Sequence, residues 1–168
     1  NGGNVQVFAP SVNLSSTTGE HFVAASFGFG FGTSDIYVAN GNTIERIANN
    51  GTYIGPFVSF TSGEVRGITF DLTGNYGNDM LVTTSIGKVY RVNSGGGVTS
   101  LANVGANVEG LDIAPASFGP YANQLIVAAE SLGNFWAIAP GGGATLLMNG
   151  LNPLSVPSAE EITFVPSV

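Results

Sequence analysis

Four glutamates, Glu64, Glu109, Glu160 and Glu161, stand at or beside the starts of β-rich runs. Carboxylates gathered from separate runs are the hard oxygen donors of which calcium sites are made. The plainer reading is that they cap strand ends in solvent, or that Glu109 pairs with Arg66 or another base, and no metal is expected. Asp71 to Asp79 is also rich in oxygen, but it lacks the order and the distal glutamate of a calcium-binding helix–loop–helix, so a turn held by Asp, Asn and Gly accounts for it with less.

Glu20-His21 offers an acid beside a base, yet no nucleophile elbow and no HExxH helix accompanies it, so His21 reads as a surface or strand-start residue. Gly28 to Gly32 alternates with Phe29 and Phe31 and precedes no helical pattern that could hold a phosphate, so it reads as a connection between strands. There its two phenylalanines either pack inside or present a sticky surface. No cofactor is expected, and no catalytic residue is assigned.

Tyr37, Tyr90, Tyr121, Phe135 and Trp136 could stack on sugar rings, although aromatics in strands more often pack between layers. Asn13-Leu14-Ser15 and Asn50-Gly51-Thr52 fit the N-glycosylation sequon, and Ser15, Ser16, Thr17 and Thr18 form a hydroxyl cluster open to O-linked sugar.

The elements that must position these residues follow from composition and periodicity. The chain has 168 residues, 25 of them Gly, with four basic and eleven acidic groups and a net charge of −7. That is one domain's length with enough aliphatic and aromatic content for a core, and a surface that repels nucleic acid and anionic lipid headgroups. Cysteine is absent and His21 is the single histidine, which removes disulfides, thiol catalysis and any site needing two imidazoles. No uninterrupted apolar run is long enough to span a bilayer. The start at Asn1, without Met, is what removal of a signal peptide leaves, and secretion is expected.

Asp35-Ile36-Tyr37-Val38, Asp79-Met80-Leu81-Val82 and Gln124-Leu125-Ile126-Val127 recur at offsets of 44 and 45 residues. Each is followed by a second β-rich run, a Gly- or Asn-rich turn, a third run, and a fourth that begins at Val65, Val108 or Glu160. Four short strands per period of about 45 residues is the signature of a β-propeller blade. Period-two alternation dominates, and almost no helix is expected. Asn40-Gly41 lies between two such runs and predicts a type I′ hairpin, which needs positive φ at both central residues.

Val5 to Pro10 matches Phe135 to Pro140 in residue type. Naming strands a to d outward from the axis, the chain reads c, d, three full abcd sets, then a final a at 160–165. The fold expected is all-β: three complete four-stranded antiparallel blades plus one incomplete blade from the two chain ends, which lacks its b strand. Residues 1–19 form an N-terminal strand segment and 20–168 the propeller-like domain.

The runs "GITFDLTGNYGNDMLVTTSIGKVYRV" and "EGLDIAPASFGPYANQLIVAAE" resemble repeats of secreted bacterial NHL-like propellers, over Phe22 to Val165. Many such proteins carry a PEP-CTERM sorting tail, and "ITFVPSV" resembles the residues just before that motif, although Pro-Glu-Pro itself is absent. The resemblance implies export in organisms that make exopolysaccharide, and no common catalytic residues. The glutamates at the strand starts resemble the mouth of gluconolactonase-like propellers, where a Glu helps to bind a divalent metal.

The thin inventory of charged and nucleophilic groups argues against an enzyme. The function expected is an extracellular structural or matrix protein that self-assembles head to tail, into a filament, through its N-terminal strand, with Val5, Val7 and Phe8 buried against a neighbour. Its partners would be copies of itself and extracellular polysaccharide, with no nucleic acid and no membrane span. A lectin-like monomeric propeller is the alternative, and a lactonase-like metallohydrolase comes third.

Overall fold

In the computed structural model, residues 7–15 and 20–165 are described. They build an all-β chain in which three antiparallel sheets succeed one another, each of four strands paired in sequence order. Blade 1 contains β1 (Val23–Phe27), β2 (Thr33–Asn40), β3 (Thr43–Ile47) and β4 (Tyr53–Ser59). Blade 2 contains β5 (Val65–Phe70), β6 (Met80–Thr84), β7 (Lys88–Val92) and β8 (Val98–Asn103). Blade 3 contains β9 (Val108–Ile113), β10 (Leu125–Ala129), β11 (Asn134–Ile138) and β12 (Ala144–Leu146), followed by a hairpin of β13 (Met148–Asn149) and β14 (Asn152–Pro153). The only helical residues described are two single 3₁₀ turns, Gly119–Tyr121 and Glu130–Leu132. The meander order and the 44- and 45-residue recurrence make these the blades of a propeller-type fold.

Alternation fixes which face each strand buries. In blade 1 the pairs Tyr37↔Arg46 and Ala39↔Ile44 share one face, while Ile36↔Ile47, Val38↔Glu45 and Asn40↔Thr43 share the other. Tyr37, Ala39 and Ile44 pack against Ile68, Phe70, Met80 and Val82 of blade 2. In blade 2, Leu81 and Val89 turn the opposite way and meet Val108, Leu111, Leu125, Val127 and Ile138 of blade 3. An aromatic from the loop between the first two strands wedges into each junction. Phe31 stands edge-on to Tyr37 and Phe70, with centroids 5.9 and 5.1 Å away, and Tyr76 is fully buried between blades 2 and 3. Of the Gly-Phe loop, Phe31 is therefore the packed residue, whereas Phe29 is 60% exposed with a positive φ of 54°.

Equivalent ion pairs brace the first two blades: Arg46 donates to Asp35 at 2.7 Å, and Arg91 lies 3.1 Å from Asp79. Register places Gln124 and Ala137 at those positions in blade 3, so the third blade lacks the pair.

The β2–β3 hairpin departs from expectation by one residue. Asn40 pairs with Thr43, so the loop is Gly41-Asn42, and Gly41 at φ 60° is the member with positive φ. A two-residue loop with positive φ at its first position alone matches type II′, for which Gly is the natural first residue. Asn40 stays in the strand because its amide is used there: Oδ1 accepts from Ser15 N at 2.7 Å and Nδ2 donates to Glu45 Oε1 at 3.1 Å.

Candidate functional site

The innermost strands β1, β5 and β9 lie side by side around an axis, and small residues let them converge. A Cβ on Gly67 would strike the Leu111 side chain and the Glu109 carbonyl, and one on Gly110 would stand 2.8 Å from backbone atoms of Glu161 and Ile162. Residues 160–165 thus occupy the fourth innermost position, held further by Phe164 N donating to Asp112 Oδ2 at 2.8 Å and by Phe164 edge-on to Phe118 at 4.9 Å. An axial cavity of about 270 Å³ is lined by Phe22 and Val23, Gly67 to Thr69, Glu109 and Leu111, and Glu161 to Thr163, one contribution from each of the four segments.

Among the described residues, the fourth sector contains no further strand. Residues 160–165 sit where the final a strand was expected, but they form no strand, because among the described residues no b strand lies beside them to supply a ladder. Residues 7–10, expected within strand c and the turn after it, are likewise not in a strand. Val5, Ser16, Thr17 and Thr18 lie outside the described residues. Val7 is 75% and Phe8 53% exposed, and Asn13, Asn50 and Ser15 are exposed. Asn50 Oδ1 accepts from Thr52 N at 3.0 Å, an Asx turn inside its sequon.

At the end of the axis where the innermost strands begin, acidic groups gather. Glu109, Glu130 and Glu160 each place a carboxylate oxygen within 4.8 Å of the others. Asn107 Nδ2 donates to Glu109 at 2.9 Å and to Glu130 at 2.6 Å, so a neutral donor already relieves part of the repulsion between them. Glu109 is buried, and its carboxyl is held above the usual carboxylate range. Loss of solvation is the first cause; the Asn107 hydrogen bond opposes it, and the charges of Glu130 and Glu20 add to it. Glu64 does not join the trio: Arg66 holds it at 3.3 Å and also pairs with Glu20. Glu130 was missed in sequence because it follows a second strand rather than beginning a first one; the antiparallel pairing of β10 with β9, continued by Glu130 N donating to the Asn107 carbonyl at 3.0 Å, brings it beside Glu109. Three carboxylate oxygens at this spacing are a partial donor set for a hard cation.

The remaining sequence candidates are placed as structure. His21 Nδ1 lies 2.9 Å from the Ala39 carbonyl, tying the start of β1 to β2, and Glu20 turns to Arg66 instead. Asp71 is wholly buried and accepts from the backbone N–H groups of Thr73, Gly74, Tyr76 and Asn78 and from the Thr73 hydroxyl, so the Asp71–Asp79 loop is a carboxylate-centred turn. Tyr37 and Tyr90 are buried between blades 1 and 2, Trp136 packs between blades 2 and 3, and Tyr121 and Phe135 pack between blade 3 and residues 154–164.

By sequence, no protein-family model and no curated protein matches the chain. By structure it is similar to virginiamycin B lyase from Staphylococcus aureus, at 11% identity over 79% of this chain and 46% of that one, with TM-score 0.54. A streptogramin B lyase matches at 16% identity over 76% and 39%, with TM-score 0.56. The computationally designed Ika4 protein matches at 15% identity over 97% and 89%, with TM-score 0.58. The chain spans less than half the length of the two lyases. These likenesses define the class: a β-propeller-type repeat protein.

They also correct one expectation. The thin inventory of charged groups argued against an enzyme, yet the same fold carries lyases, so composition does not exclude catalysis in it.

Proposed function

We propose that the chain is an extracellular structural protein that assembles head to tail, into a filament, through its N-terminal segment Gly3 to Thr18. The observation that supports this reading is the fourth sector, where residues 160–165 stand in place on the axis and, among the described residues, no b strand lies beside them. A segment from a second copy would supply the missing main-chain partners, as in strand addition to an open edge. Residues 1–19 carry no charged side chain, which suits them to a blade interior, and burial of Val7 and Phe8 would be worth about 1.5–3 kcal/mol each. A contact between unlike surfaces does not satisfy itself as a two-fold dimer does, and a rotation that fails to close gives an open helical filament. Extracellular polysaccharide is the second partner of this reading, and the exposed Asn50, outside the docking segment, is its glycan carrier.

The test is light scattering and negative-stain microscopy of the full chain over a concentration series. Fibres or large assemblies growing with concentration support the reading. A monodisperse particle of 17.1 kDa at every concentration sinks it.

A further inference from the structure

An asparagine followed by glycine is a step at which a chain readily modifies itself, because no side chain on the second residue hinders its backbone nitrogen from reaching the asparagine amide carbon. The chain has four such steps: Asn1-Gly2, outside the described residues, and Asn40-Gly41, Asn50-Gly51 and Asn149-Gly150. Structure separates the last three. Asn40 ends the eight-residue strand β2, and both atoms of its amide are engaged, Oδ1 by Ser15 N and Nδ2 by Glu45 Oε1. At Asn50 the attacking nitrogen is engaged: Gly51 N donates to the Ala48 carbonyl at 2.8 Å, while Asn50 Oδ1 accepts from Thr52 N. Asn149 has neither restraint. It is exposed, its side chain has no hydrogen-bond partner among the described residues, and Gly150 N donates to no backbone carbonyl among them. It also sits where opening is cheap: Asn149 pairs with Asn152 across the loop Gly150-Leu151, in a hairpin of two two-residue strands, and Leu151 is 95% exposed. A two-stranded hairpin this short frays without disturbing the blades. Nothing lies within 4 Å of where a Cβ on Gly150 would stand, so a ring has room to close there.

We infer that Asn149 is a self-modification site, converted in water to aspartate and isoaspartate ahead of Asn40 and Asn50. The Gly150 backbone nitrogen gives up its proton to hydroxide and attacks Cγ of Asn149. The N–Cγ bond forms, the Cγ–Nδ2 bond breaks, and the amide nitrogen leaves as ammonia after taking a proton from water. Water then opens the five-membered succinimide. Cleavage at Cγ leaves aspartate on the original backbone. Cleavage at the backbone carbonyl carbon of residue 149 leaves isoaspartate, whose main chain runs through Cβ and Cγ and is one atom longer. The net reaction takes in one water and releases one ammonia. Either product adds a negative charge to a chain of net charge −7, and isoaspartate lengthens the strand just before a two-residue loop, which disrupts the Asn149↔Asn152 register. The inference is independent of the assembly reading above.

The experiment holds the full chain at mildly alkaline pH, folded in one sample and in denaturant in another, and follows both by mass spectrometry over time. Cleavage after glutamate puts the three residues in separate peptides, 21–45, 46–64 and 131–160. In the folded chain Asn149 is expected to convert at least about fivefold faster than Asn40 or Asn50, the ratio a modest difference in local opening produces, and in denaturant the three rates should agree within about twofold. If Asn50 carries a glycan, Asn40 is the comparison. Conversion of Asn149 no faster than the others in the folded chain would overturn the inference. So would a lead for Asn149 that is as large in denaturant, since sequence rather than structure would then set it. Electron-transfer fragmentation should find both isoaspartate and aspartate at residue 149, and aspartate alone would refute the ring-closing step.

Discussion

The phenolic hydroxyl of Tyr76 donates to the carbonyl of Ile138 at 2.5 Å, across 62 residues of sequence and from one blade to the next. The same oxygen accepts from Leu125 N at 2.6 Å, and Leu125 is the cross-strand partner of Ile138. The hydroxyl thus closes the open end of the β10–β11 ladder, where a donor and an acceptor would otherwise be stranded in a dry core. Tyr76→Phe keeps the ring and strands both groups. The expected cost is about 1–3 kcal/mol, read as a lower denaturant midpoint at unchanged slope.

Burial pushes the phenols of Tyr37 and Tyr76 up to about 12, in Tyr37 despite the Arg46 charge and in Tyr76 despite the Leu125 N–H. A phenol whose pKa rises on folding stabilises the fold fully below its unfolded value, near 10, and loses that contribution as pH climbs through the folded value. Alkaline unfolding is therefore expected between about pH 10 and 12. Phenolate absorbance should show these two rings ionising in step with loss of the near-ultraviolet dichroism, and ionisation at the ordinary value in a folded chain would refute it.

Asp71 behaves in the opposite sense. Burial alone would raise its pKa, but the hydrogen bonds from Thr73, Asn78 and Tyr76 outweigh burial and hold it below the ordinary carboxylate value. Its contribution is present above the unfolded pKa and lost as pH falls through the folded one. Asp71→Ala leaves several donors of the β5–β6 loop without their acceptor and should cost about 3 kcal/mol or more, with the deficit shrinking toward acid. Equal instability of the variant at neutral and strongly acid pH would contradict this.

Gly110 has no unusual φ, so substitution there tests space alone. Gly110→Ala puts a methyl 2.8 Å from backbone atoms of residues 161 and 162 and should push residues 160–165 off the axis, at a cost of about 1–3 kcal/mol. Hydrogen exchange of the Ile162 to Val165 amides should rise in the variant, and unchanged protection would argue against that placement.

Glu109, with its raised pKa, favours the fold when protonated and loses that contribution as pH rises through the folded value. Glu109→Gln keeps the shape, removes the charge beside Glu130 and Glu20, and is expected to be more stable than wild type at neutral pH but not in acid. Thermal unfolding at two pH values reads it, and a variant less stable at neutral pH would show that the charge is needed.

The blade count was legible because each blade repeats its own local instructions: alternating strands at a fixed spacing and a Gly- or Asn-rich turn. That pattern survives in sequence since each sheet pairs only with strands next to it in the chain. The position of residues 160–165 was legible for the same reason, through their likeness to β5 and β9.

What tertiary structure decided depends on neighbours distant in sequence. Phe29 and Phe31 are indistinguishable by type and spacing, yet only Phe31 finds Phe70 across a blade junction. Glu130 joins Glu109 because β10 pairs antiparallel with β9, Glu160 reaches both from the far end of the chain, and Glu64 is drawn off by Arg66. Residues 160–165 have the composition of a strand but not its ladder, because hydrogen bonds between strands need a partner and pattern supplies only half of the pair. Sequence alone determined the three blades, since alternation and turn chemistry act over a few residues, while their packed faces emerge from the pairing and the junctions. The placing of residues 160–165 on the axis and the making of the acidic mouth fell to tertiary structure, since both require groups distant in sequence to meet.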